Sequence, residues 1–499
     1  MARHNIDPKV KAFLDSSPVK MIIGGEKVAS VSGKTYVSTN PSDGTKLADI
    51  YSGDQEDINR AVDAARAAMN GPWGRMLPVE REKILRRFAE LVEKYSEELA
   101  QLESLDNGKS LNHTRMIDSK VAANNIYHFA AWPSKIFGQT VPVSIPEMFV
   151  YTRREAVGVV GLIIPWNYPL IHGTQKISPA LAAGNAVILK PASVASLAIL
   201  RLGEIGLEAG LPAGALNVVA GPGGVIGHAL SSHPEINKIQ VTGSTAVGRQ
   251  IIQNSTVNIK RLTLELGSKA PNCIFEDANL DAAIPGAFKA AFVNSGQSCV
   301  AGCRLYVQNS VYDRVVAGML DLAGKARIGH AFDPETDLGP IVDEAQFNTI
   351  TEYIQDGVQS GAKLLRGGER MNPPNVPEGG FYLPPTIFTE VADEARISRE
   401  EIFGPVVNIY SFDTEEELIR RANNTTYGLA AGIWTTNLAR AHRVAAKIEA
   451  GVVWVNTYDF FAPNAPFGGY KQSGYGRDNS FEAIEAVTEV KSIWVPTRQ

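Results

Sequence analysis

The sequence predicts an α/β protein of two doubly wound α/β domains plus a small β arm. Three observations carry this. From residue 157, short apolar runs alternate with helical patterns, and a second alternation begins near 278. Between the N-terminal helices and the first alternation, 138–154 reads as two extended segments around a turn, and the tail 486–495 (AVTEVKSIWV) again has strand character, able to pair with that arm. A chain of 499 residues also suggests two to three domains.

In chain order, residues 1–50 read as an irregular lead-in with short strands, one ending at the Gly24-Gly25 turn signal. Apolar residues at helical spacing (Ile58, Ala61, Val62, Ala65, Ala68) predict a helix over 55–70. Helices follow over 78–95 and 119–132, with no chemistry evident. A β-hairpin over 138–154 that buries little on its own chain needs another subunit. The first alternation predicts strands at 157–164, 186–190, 215–219, 236–241 and 262–265. Helices lie between them at 170–183, 194–209, 223–231 and 245–254. Short apolar strands alternating with helices imply a parallel sheet covered on both faces, which binds ligands at the strands' C-terminal ends. The second alternation predicts helices at 282–293, 311–326, 343–357, 415–423 and 437–449. Its strands are expected at 304–307, 363–365, 406–411 and 452–456.

Composition narrows the function class. Hydrophobic residues at 44% and charged residues at 20% allow a large core and argue against disorder. A net charge of −5 is too mild for nucleic-acid or membrane-surface binding. No apolar run reaches membrane-spanning length, and the first residues lack an apolar signal segment. Three cysteines give no disulfide framework, which fits a reducing compartment and a cytoplasmic location. Cys299 and Cys303 have no second Cys or His pair at ligand spacing, so no metal is expected.

The chemistry centres on Gly296-Gln297-Ser298-Cys299. A thiolate is the strongest ordinary side-chain nucleophile near neutral pH. An isolated cysteine is more often a small buried hydrophobe. Company raises Cys299: Pro165-Trp166-Asn167-Tyr168-Pro169 and Leu264-Glu265-Leu266-Gly267 lie upstream, and Glu401-Ile402-Phe403-Gly404-Pro405 downstream. Each offers a polar group where a strand pattern ends. The dinucleotide fingerprint G-x-G-x-x-G is absent; in 221–227, containing Gly223, the last glycine falls one residue late. In Val241-Thr242-Gly243-Ser244-Thr245 a strand runs into a turn that opens a helix. That turn is either a phosphate site or a plain N-cap. Lys190, ending a strand, suits a ribose hydroxyl or phosphate, or is a solvated surface lysine.

Together with Lys190-Pro191 and the run from Pro466 to Gly474 (PFGGYKQSG), these motifs resemble the aldehyde dehydrogenase superfamily over essentially the full length. Length and C-terminal strand are similar to its tetrameric branch, which includes retinal and betaine aldehyde dehydrogenases. The resemblance implies oxidation of an aldehyde to the acid with NAD, and here NADP as well. It makes Cys299 the nucleophile, Glu265 the general base, Asn167 an oxyanion donor and Lys176 a proton-relay partner. It gives Ile164, Pro165, Trp166, Lys190, Ser193, Gly223, Gly243, Ser244, Gly267, Glu401 and Phe403 to the cofactor. By position, Tyr168, His172, Gln175, Phe292, Val300, Phe461 and Phe467 line the substrate tunnel, suited to aliphatic or aromatic aldehydes. It divides the chain into a dinucleotide-binding domain (1–137 and 158–268), a catalytic domain (269–482) and an oligomerisation arm (138–157 and 483–499) of a homotetramer, a dimer of dimers.

Three departures from the family pattern stand out. Ser193 replaces a frequent Glu that repels a 2′-phosphate, which opens the site to NADP. Asp478 stands where many members have Glu, a shorter carboxylate expected to weaken a relay with Lys176. Cys303, four residues past the nucleophile, is a packing residue or a redox trap for Cys299. The rival functions are a CoA-acylating relative, a cysteine acyl hydrolase without redox chemistry, and a non-catalytic structural relative.

Overall fold

The computed structural model describes residues 6–374 and 376–498. Residues 1–5 of the N-terminal segment, Asn375 and the last residue of the arm's expected range lie outside the described residues.

The first alternation forms the parallel centre of an eight-stranded sheet. Five parallel strands run across it in the order Arg261–Glu265, Lys238–Thr242, Val159–Ile163, Ala186–Lys190, Leu216–Val218. The chain starts in the middle at Val159–Ile163 and builds outward to one side. It then returns to place Lys238–Thr242 on the other side. The loops leaving these two neighbours therefore diverge, opening a crevice at their C-terminal ends. Met21–Ile23 and Glu26–Val28 extend one edge antiparallel. All three central strands of this row are wholly buried. Both faces are covered, which is why they read as continuous apolar runs.

A second sheet of seven strands is parallel except for its edge strand Lys363–Arg366. Three of its strands were not expected: Pro271–Ile274, Thr386–Thr389 and Ala430–Trp434. Each is only four or five residues long. One opens on proline and another begins Ala-Ala-Gly, which weakens any strand pattern. The helix Ser96–Asn107 was also unexpected. Ten of its twelve residues are buried, including Glu98, Gln101, Glu103 and Asp106, so it has no polar face to betray it.

Two expectations need correction. The 223–231 helix is a five-residue π-turn, Gly223–Gly227, followed by the short helix His228–Ser232. Nor is 269–482 closed on itself. Gly474–Tyr475 pairs antiparallel with Arg261–Glu265 as the outer strand of the first sheet. Beyond it, Ala483 and Ile484 of the helix Ser480–Ala486 pack into the first core.

The tail strand Thr488–Pro496 pairs antiparallel along all of Met148–Ala156, and Thr140–Val141 adds a third strand. The arm leaves Phe149, Val490, Trp494 and Val495 exposed. Among the described residues, no helix is long and apolar enough to cross a membrane. None of their His, Cys, Asp or Glu side chains form a group of three that could hold a metal ion.

Candidate active site

A cleft of about 960 Å³ opens where the diverging loops leave the first sheet. Ile164, Pro165, Trp166, Lys190, Ser193, Gly223, Gly243, Ser244, Gly267, Glu401 and Phe403 all line it. The helix Thr245–Asn254 points its N-terminus here, with the Ser244 side chain accepting the Val247 N–H at 3.2 Å. Free N–H groups and the helix dipole at this end suit a phosphate. A Cβ added to Gly223 or Gly224 would meet nothing within 4 Å, so backbone there borders open space. Lys190 donates to its neighbour Pro191 O at 2.7 Å and faces no carboxylate; burial lowers its pKa to about 8. Thr242 Oγ1, buried in the cleft wall, has no hydrogen-bond partner. A cradle of open glycine backbone, an unpaired cation and an orphaned hydroxyl fits a dinucleotide.

On the far wall, Glu401 Oε1 accepts the Ser268 N–H at 2.8 Å. A Cβ on Gly267 would lie 2.2 Å from Glu401 Oε2, so only glycine permits this approach. Trp166 and Phe403 meet edge to face at 5.3 Å.

A second cavity of about 280 Å³ lies on the other side of the loop that carries Cys299. Tyr168, His172, Gln175, Val300, Phe461 and Phe467 line it. Phe292 does not. It is fully buried in the second domain's core, 4.8 Å from the Phe288 ring, because the last turn of Leu280–Phe292 faces inward. Residues not expected here are His113, Lys289, Asp459 and Asn479. Asn479 Oδ1 accepts the Gln175 Nε2–H at 3.1 Å. Asp459 follows a run of strand and sits at φ 65°, a signal of a constrained turn that the sequence pattern does not expose. Burial raises its pKa to about 6 and lowers that of His172 to about 3.

Among the described residues, Cys299 is the one that lines both cavities. It follows three successive residues with left-handed backbone: Asn294, Ser295 and Gly296 (φ 52°, 54° and 69°). Such strain persists only where the surroundings over-determine it. Ser295 Oγ donates to Gly339 O at 2.7 Å, and Gln297 Nε2 to Asn294 O at 3.0 Å. A Cβ on Gly296 would strike Gly404 O at 2.1 Å, so this turn is pressed against the loop carrying Glu401. Asn167 Nδ2 donates to Gln297 O at 3.0 Å, which brings its amide beside the cysteine's loop. Burial first, then the Glu401 and Glu265 carboxylates, push the Cys299 thiol far above its usual range. Cys273 and Cys303 are likewise free.

Glu265 lines neither cavity. It is buried behind Gly468, whose added Cβ would lie 2.6 Å from Glu265 Oε1, and neither carboxylate oxygen has a hydrogen-bond partner. Burial and then the Asp478 carboxylate hold its pKa well above the usual range, opposed by Lys176 and Arg477. Lys176 is equally buried and pairs with Asp478.

The family model described as "Aldehyde dehydrogenase family" matches residues 28–493. An aldehyde dehydrogenase of Enchytraeus buchholzi is 46% identical over 481 residues, 96% of each chain. A human relative, "Aldehyde dehydrogenase, mitochondrial", is 43% identical over 483 residues, 96% of this chain and 92% of that protein. The NAD+ complex of an aldehyde dehydrogenase from Bacillus cereus superimposes with a TM-score of 0.96 at 45% identity, covering 99% of both chains. With agreement on this scale, and a cleft fit for a dinucleotide that runs onto Cys299, the chain belongs to the aldehyde dehydrogenase family and oxidises aldehydes with NAD(P)+.

Proposed function

We propose that Cys299 attacks an aldehyde held in the 280 Å³ cavity while NAD(P)+ fills the 960 Å³ cleft, so that the two meet only at the sulfur. That shared position is the observation that carries the reading. Bound NAD(P)+ supplies the hydride acceptor. The thiol's proton passes to a nearby carboxylate, and the sulfur adds to the carbonyl carbon to form a thiohemiacetal. The oxyanion is held by the Asn167 amide and the Cys299 backbone N–H; each such donor is typically worth ~3–4 kcal/mol of barrier. Loss of hydride leaves a thioester on Cys299. Glu265 then turns toward the sulfur, takes a proton from water, and the hydroxide releases the acid. Its unpartnered carboxylate and raised pKa suit a base that must move and carry a proton. Lys176 and Asp478 carry that proton onward.

Glu401 and Lys190 grip the two riboses, Ser244 and the helix start hold the pyrophosphate, and Ser193 admits NADP+ as well as NAD+. The wall of Phe461, Phe467 and Val300 favours an apolar aliphatic or aromatic aldehyde. The exposed apolar arm joins subunits into a homotetramer of the cytoplasm.

Following reduced-nicotinamide absorbance with aliphatic, aromatic and amino aldehydes, with each cofactor separately, tests this. Turnover that disappears in Cys299→Ala supports it. No reduction with any aldehyde, alongside activity only with added CoA or only on esters, overturns it.

A further inference from the structure

Beneath the wall of the second cavity lies a buried cation that the chemistry above does not use. Lys109 Nζ is 2.9 Å from Glu103 Oε1 and 2.9 Å from Asp118 Oδ2, and all three side chains are at most 1% exposed. Charges are buried only at considerable cost, and apolar residues of similar volume would hold a core as well. The ammonium also sits 3.7 Å from the centre of the Tyr168 ring. Tyr168 belongs to the cavity wall, which it shares with Ser298 and Cys299.

The same segment holds the rest of the 166–170 turn. Glu103 Oε2 accepts the Leu170 N–H at 3.1 Å, at the start of the helix Pro169–Ala182. Asn107 Nδ2 donates to Trp166 O at 3.3 Å. Between Asn107 and Lys109, Gly108 turns the chain at φ 80°, where a Cβ would press on Pro340 Cγ at 2.7 Å. Pro340 O in turn accepts Gln297 Nε2–H at 3.3 Å. One buried turn thus touches the tyrosine side of the cavity and the loop leading to Cys299.

We propose that Lys109 is a positioning residue for the aldehyde site: its ammonium, fixed by two buried carboxylates, sets the Tyr168 ring and so the width of the passage to Cys299. The inference rests on reading the second cavity as the aldehyde site. A desolvated cation on an aromatic face is among the stronger contacts of its kind, and its direction is set by the ring. Methionine would fill the space without holding the ring. Arginine keeps both the charge and the contact.

The test uses the full-length enzyme and five variants: Lys109→Met, Lys109→Arg, Lys109→Met with Glu103→Gln, Tyr168→Leu, and Tyr168→Leu with Lys109→Met. The double charge-neutral variant carries the test if Lys109→Met alone does not fold. KM and kcat are measured per titrated Cys299 for benzaldehyde and propanal. Separately, alkylation of Cys299 by N-ethylmaleimide and by the bulkier N-benzylmaleimide is followed by peptide mass spectrometry. Loss of the cation should change KM for benzaldehyde by about tenfold while propanal kcat stays within about twofold. The two alkylation rates should change their ratio about fivefold, arginine should restore both, and the Tyr168→Leu background should show no further change. Folded variants with wild-type KM and alkylation ratio would overturn the proposal. So would a defect undiminished in Tyr168→Leu. A wild-type enzyme that reduces no cofactor would sink the aldehyde reading, while the alkylation ratio would still decide the role of Lys109.

Discussion

Lys176 Nζ lies 2.5 Å from Asp478 Oδ2, with both side chains closed off from solvent. The shorter carboxylate does not open a gap, because Asp478 is fixed from both sides: Asp478 N–H donates to Phe467 O and Phe467 N–H to Asp478 O. Removing one partner of such a pair strands the other charge in the core. Asp478→Ala should therefore lose ~3–5 kcal/mol, and adding Lys176→Met should restore much of it. Thermal unfolding of the three proteins measures this. Equal melting temperatures would show that solvent reaches the pair.

Glu265 works as a base only after losing its proton, so thioester hydrolysis should rise with pH. Burial and Asp478 hold its pKa up, so the acid limb should lie above the ordinary glutamate value of ~4.3. Asp478→Asn removes a negative neighbour, which should move that limb to lower pH. Glu265→Gln should give one rapid turnover and then stall, with the acyl group found on Cys299 by mass spectrometry.

Ser193 lines the cofactor cleft beside Lys190. Ser193→Glu places a carboxylate where a 2′-phosphate would lie, and opposed like charges cost several kcal/mol. We expect kcat/KM with NADP+ to fall ~100-fold and that with NAD+ to change little. An unchanged cofactor ratio would place Ser193 away from the ribose.

His172 has its pKa lowered from 6.5 to about 3, by burial first and then by Lys176. Between those values the unfolded chain holds a proton that the folded chain refuses. Stability should thus fall as pH drops from 6.5 toward 3. His172→Phe should remove up to ~1.4 kcal/mol per pH unit of that slope. Denaturant melts across the window would read it.

Truncation after Val487 removes Thr488–Pro496 and leaves Met148–Ala156 without its full-length partner. The truncated protein should elute as a smaller species than the full chain in light-scattering chromatography. An unchanged mass would assign the subunit contacts elsewhere.

The cofactor half of the site was legible because its residues sit at strand ends, and strand ends follow from apolar periodicity. Lys190 and Thr242 each terminate a buried strand. The substrate half was less so. The resemblance places Phe292 in the tunnel by position, but helical geometry turns it into the core. Asp459 and Asn479 come from loops with left-handed backbone, at φ 65° and 64°, where no periodicity reports which way a side chain points. The buried helix Ser96–Asn107 escapes a reading by periodicity because its carboxylates find their partners inside the protein.

The return of Gly474–Tyr475 to the first sheet also sets an order of events during synthesis. Glu265 pairs with Gly474, and the Leu266 N–H donates to Ser473 O at 2.9 Å. A ribosome therefore releases the strand bearing Glu265, and then the loop bearing Cys299, long before the segment that braces that strand. Until that segment emerges, the growing chain carries Cys299 while the strand bearing Glu265 still lacks its outer partner.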